Sequence, residues 1–231
     1  SVMDPAEVEA DGTLSADLAV AGPLGPGATP KVTGVATVDG GSVRYRGRTL
    51  TEALDLRVTL TEEGAMRPEG QGQLLGGGFE LEGTVMMEAP RSMELRIQAA
   101  PDLGRIDPAF LPAGVELAGI TPLDLRLAGE LENPRGLGAW GSLGLRQLRA
   151  THPALGVPVS VATADLVMEG RTVRIPETGV RLGEDQLTVQ GVLTGLLDTG
   201  GAVPDFRGSA RGPRLSLEEL QANPPPDTAL T

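Results

Sequence analysis

Apolar and polar residues alternate with a period of two along most of this chain. Leu54, Leu56, Val58 and Leu60 alternate with Asp55, Arg57 and Thr59. Phe79, Leu81, Gly83 and Val85 alternate with Glu80, Glu82 and Thr84. Met93, Leu95, Ile97 and Ala99 alternate with Glu94, Arg96 and Gln98. The same holds for Leu123 to Leu131, for Val157, Val159 and Val161, and for Leu187 to Leu193. Side chains of a strand point to opposite faces in turn, so this pattern predicts strands with one oily and one wet face. Antiparallel sheets are the ones that tolerate a wet face. Turn signals punctuate the runs: Asp39-Gly40-Gly41, Glu63-Gly64, Gly76-Gly77-Gly78, Glu169-Gly170 and Gly183-Glu184-Asp185.

Helix is almost absent from the pattern. Asp107-Pro108-Ala109-Phe110-Leu111 could form one helical turn, with Asp107 as cap and Pro108 at the first helical position. Ser216-Leu217-Glu218-Glu219-Leu220 has capping-box spacing. The chain also resembles itself at an offset of about 107 to 110 residues. Gly12 to Leu18 recurs as Gly119 to Leu125, Ala53 to Leu56 as Thr163 to Leu166, and Leu74 to Val85 as Arg181 to Leu193. Two tandem multi-strand repeats are expected, 1–111 and 112–222, each closed by one of the helical turns and together continuing one sheet. A Pro-rich tail, 223–231, follows.

About 13 strands at ~4.8 Å each would make a sheet roughly 60 Å wide. Its oily face must be buried against something, and there is too little helix to do it. A second sheet could cover it, giving a sandwich or barrel. Alternatively the sheet curls into a trough and a guest molecule supplies the cover. The side chains expected on that face are Leu54, Leu56, Val58, Phe79, Leu81, Val85, Leu95, Ile97, Leu123, Leu125, Leu127, Leu187 and Val189. Apart from Phe79 they are aliphatic, better matched to acyl chains than to a shaped small molecule. A transmembrane barrel fits poorly. Its two aromatic girdles would need more than Tyr45, Phe79, Phe110, Trp140 and Phe206, which are all the rings present.

Composition narrows the chemistry. The net charge is −12, with Lys31 the only lysine among 19 basic residues. An acidic chain without a basic cluster repels nucleic acid. Cysteine is absent, which removes disulfides, thiolate catalysis and Cys-based metal sites. His152 is the only histidine, and no G-x-S-x-G accompanies it, so it reads as a loop residue. Gly136 to Gly141 matches G-x-G-x-x-G, but strand alternation follows it where a dinucleotide site needs a helix. Asp102 with Asp107, or Glu184 with Asp185, lack the spaced ligands of a cation site. Glu80, Glu82, Glu94, Asp124 and Glu130 occupy the polar strand positions, as do Arg44, Arg46, Arg57, Arg96 and Arg126. These read as a solvated face with cross-strand pairs. No catalytic set, metal site or cofactor is expected.

One stretch carries a family resemblance. Asp17 to Leu24 reads DLAVAGPL, and Val32 to Leu60 reads VTGVATVDGGSVRYRGRTLTEALDLRVTL. This resembles the repeats of the AsmA-like superfamily, especially its TamB branch. Those repeats run as an amphipathic strand ending in Gly-Pro-Leu and a Pro-containing joint. A strand pair around Asp-Gly-Gly and Val-Arg-Tyr follows, then Leu-Asp-Leu-Arg. The second copy follows the scheme more loosely. It keeps Asp124-Leu125, Ala128 to Leu131, Asn133-Pro134 and Ala164-Asp165-Leu166, but has Leu145-Arg146-Gln147 in place of Val-Arg-Tyr. The similarity runs from about Gly12 to Leu220.

The resemblance implies an all-β fold: a long curled antiparallel sheet forming a taco-like open groove, which ranks the trough above the sandwich. It implies a segment of a larger periplasmic protein whose anchoring inner-membrane helix lies outside this stretch. It implies phospholipid acyl chains as the cargo, moved toward the outer membrane. For TamB-type members it implies a part in outer-membrane protein assembly with a barrel partner. The competing expectation is a structural or interaction module, either a closed sandwich or a scaffold offering strand edges to other proteins.

Overall fold

The computed structural model describes residues 8–23, 30–45, 48–108, 111, 113–133, 136–153, 156–195 and 205–212. The strands are β1 (Val8–Ala21), β2 (Lys31–Tyr45), β3 (Arg48–Leu60), β4 (Ala65–Leu74), β5 (Gly77–Met86), β6 (Ser92–Ala99), β7 (Glu116–Ile120), β8 (Leu123–Glu130), β9 (Gly138–Thr151), β10 (Val159–Gly170), β11 (Thr172–Leu182), β12 (Asp185–Thr194) and β13 (Asp205–Arg211). All thirteen belong to one sheet, ordered along the chain from β1 to β6 and from β8 to β13. Every pairing is antiparallel. The edge strands β1 and β13 do not pair with each other, so the sheet stays open.

β7 lies off the main path because β7 and β8 are one strand interrupted. β7 runs beside residues 146–151 of β9, and β8 runs beside residues 138–143 of it. Thr121 and Pro122 separate them. Proline has no N–H to give a ladder. Here the Pro122 carbonyl takes the Gly144 N–H instead, at 2.6 Å.

Two expectations need adjusting. Asp39-Gly40-Gly41, read as a turn, lies inside β2 as a bulge where the register with β3 shifts between Val38 and Gly41. Gly40 has φ 61°, and its N–H donates to Asp55 Oδ1 at 3.0 Å. A glycine pair can serve a hairpin or a bulge, and long-range pairing decides which. The strand expected to start at Val157 starts at Val159. A 3₁₀ turn stands at Leu103–Arg105, capped by the side chain of Asp102. Past it, the Leu111 N–H donates to the Pro108 carbonyl at 3.1 Å. Of the turn expected over Asp107 to Leu111, Ala109 and Phe110 lie outside the described residues. Ser216 to Leu220 and the tail 223–231 lie outside the described residues.

Element contacts run along the sheet, from each strand to the next, with β7 also against the 3₁₀ turn. No described strand is left over to build a second sheet.

Candidate functional site

The register carries one apolar row across the whole sheet. Leu14 faces Val38, then come Leu56, Gly70, Leu81, Ile97, Leu125, Gly141, Met168, Val173, Leu193 and Phe206. Because opposed residues share a face, all thirteen side chains named above for the oily face fall on this side. Eleven of them are half-buried; Val85 and Leu187 are buried at 8% exposure each. Alternation had also marked the face residues Met93 and Ala99, while Leu143, Leu166, Met168 and Val173 went unassigned. They lie in β9 to β11; in β9 the register with β7 shifts opposite Arg146 to Arg149, and Gln147 there has φ 52°.

Glycines on this face are not gaps. At Gly70 the space for a side chain is occupied by Leu56, whose Cδ1 lies 3.1 Å from where a Cβ would stand. Phe79 covers Gly72 in the same way at 2.9 Å, and Leu95 covers Gly83 at 2.8 Å. Large side chains lean over small neighbours, which flattens the surface. Burial rises from the β1 edge to β9–β11 and falls again at β13, where Phe206 is 47% exposed. Every residue of β1 is exposed, with Leu14 at 71%. In β9 to β11, Ala139, Val161, Ala164, Leu166, Met168 and Val173 form a buried cluster. These are mostly short side chains standing below longer neighbours; Val173, 2% exposed, sits between Met168 and Leu193.

The opposite face carries a polar row in the next register: Thr37, Arg57, Glu69, Glu82, Arg96, Arg126, Trp140 and Glu169. Arg96 and Arg126 stand directly opposite each other, an arrangement that repels. Diagonal partners relieve it. Arg96 binds Asp124 at 2.9 Å and Arg126 binds Glu94 at 2.9 Å. Two of the five arginines expected in cross-strand pairs thus form them; Arg46 lies outside the described residues. Arg174 pairs with Glu169 at 2.7 Å, and Arg146 with Asp165. Depressions of about 550 to 770 Å³ lie between the long side chains of this face.

The hydrogen bond from Arg96, with a second from Gln98, holds the Asp124 carboxyl below its ordinary pKa, and Arg96 is raised in turn. A depressed carboxylate adds stability above its unfolded pKa and loses it as pH falls through the folded one. Asp124→Asn should therefore matter at neutral pH and become silent in strong acid. A carboxyl titration by NMR checks this: Asp124 should titrate below the ordinary aspartate value, and an ordinary value would contradict the pairing.

His152 is half-buried just after β9, and the G-x-G-x-x-G stretch leads into β9 rather than a helix. Among the described residues no group of His, Asp or Glu could hold a metal ion. No described helix is long and apolar enough to cross a membrane. Comparison of the chain with family models, curated proteins and solved structures returned no match.

Proposed function

We propose that this chain is a non-enzymatic lipid conduit, whose apolar sheet face shelters acyl chains. The observation that carries this is the twelve-strand apolar row with no second sheet among the described residues to cover it. A sheet with one oily face gains by covering it, and a mobile apolar guest is the cover that aliphatic, flattened side chains suit. Each CH₂ fully sheltered contributes about 0.8 kcal/mol; an open face shelters one side, so roughly half of that applies. The family resemblance extends the reading. The chain would be part of an AsmA/TamB-like bridge in the periplasm, anchored to the inner membrane elsewhere in the protein. It would pass phospholipid toward the outer membrane and support outer-membrane biogenesis, with a barrel protein as partner. The two-repeat reading finds support in equivalent sheet positions: β3 and β10 carry one matched pair of segments, and β5 and β12 another.

Native mass spectrometry of gently purified protein tests the conduit. Phospholipid or fatty-acid adducts should accompany the folded chain and be exchangeable; a chain that never carries or accepts them contradicts it.

β1 favours a second reading, an interaction module. It is 14 residues long, exposed throughout, and pairs on one side only. Such an edge is a template for strand addition. Ala16→Pro, which removes a backbone donor from β1, should abolish capture of partner strands under that reading and leave lipid adducts in place under the first.

A further inference from the structure

Trp140 is the only tryptophan in the chain, and it stands on the polar face, 44% exposed. A buried ring would be core, but this one is spread over glycine. Where a Cβ of Gly138 would stand, the Trp140 Cη2 lies 2.5 Å away and Cζ2 and Cζ3 lie 3.0 Å away. Gly170, on the next strand, is also alongside, its Cβ position 3.9 Å from Cζ2. The benzene half of the indole therefore rests against backbone on two strands, with no side chain at either glycine to stand over it.

Beside the ring is a depression of about 770 Å³ lined by both carboxylates and guanidinium groups, among them Glu82, Glu94, Arg96, Asp124 and Arg126. The Arg96–Asp124 and Arg126–Glu94 ion pairs already neutralise much of that charge. A strongly charged ligand gains little there, and the −12 net charge of the chain disfavours phosphate-bearing ones. A free acyl chain gains little among these polar groups. The ligand that fits has an apolar flat side for the indole and a rim of hydroxyls that can donate to carboxylates and accept from guanidinium groups. We propose that Trp140 and the adjoining polar depression form a binding platform for a neutral saccharide, on the face opposite the lipid-bearing row. The site does not rest on the lipid reading.

The single tryptophan makes the test direct. Its emission is followed while chitotetraose or maltotetraose is added to the whole chain. A saturable change with at least one sugar is expected. By calorimetry, Trp140→Ala should weaken that binding roughly tenfold or more with the circular dichroism of the sheet unchanged. Gly138→Ala, which displaces the ring while keeping it, should also weaken binding. The proposal is overturned if neither sugar changes the emission at millimolar concentrations, or if affinity in Trp140→Ala stays within about twofold of the original.

Discussion

Replacing Leu56 and Leu81 together by Asp should strip lipid from the protein while leaving its strand content near that of the parent. The two residues belong to the same cross-sheet row, separated by Gly70, and Leu56 already leans over that glycine. They thus bound one unbroken oily patch across β3, β4 and β5. Two carboxylates there remove about 1.5–3 kcal/mol of one-sided apolar contact, roughly ten- to a hundredfold in affinity. Folding should tolerate the change because both side chains are only half-buried and their strands keep every ladder bond. The control is Gln71→Asp with Gln98→Asp, which adds the same charge on the polar face. It should leave lipid retention intact. Equal loss in both double variants would mean that net charge, not the apolar row, governs binding.

The second large effect concerns stability. Gly141 lies near the start of β9 with φ 137°, and a Cβ there would lie 2.0 Å from the Asp124 carbonyl oxygen. Neither the backbone angle nor the space admits a side chain. Gly141→Ala should cost up to about 3 kcal/mol, and the damage should be local. A sheet whose strands make most of their contacts with their neighbours behaves as a one-dimensional array, so amide exchange should quicken in β8 to β10 and stay slow in β3 to β5. Gly179→Ala is the contrast. Nothing lies within 4 Å of its Cβ position, and the change should stay within about 0.5 kcal/mol of neutral. Uniform acceleration across the sheet would contradict the nearest-neighbour picture.

Much of this architecture was legible from alternation alone. Leu54 to Leu60, Phe79 to Val85 and Met93 to Ala99 declare their faces because a period of two has only one reading. Alternation also separated Arg96 and Arg126 from the oily side. It could not place Asp39-Gly40-Gly41, since the same residues suit a hairpin and a bulge until the partner strand is known. It could not show that Thr121 and Pro122 divide one strand into β7 and β8, because the break depends on what β9 pairs with. Trp140 escaped notice for a similar reason. Within Gly136 to Gly141 it looked like part of a glycine-rich connection, and only the folded backbone shows Gly138 and Gly170 beneath its ring. Whether anything covers the oily face is a long-range property that local pattern leaves open.

A pair of single-cysteine variants addresses that cover most directly, since the chain has no cysteine of its own. Ile97→Cys and Gln98→Cys place a polarity-sensitive dye on the two faces of β6 at adjacent positions. In delipidated protein, palmitate should shift the dye at residue 97 to the blue and leave the one at 98 unchanged. A dye at 97 that already reports a dry surrounding without lipid, and ignores palmitate, would show that protein covers the row and would contradict the conduit.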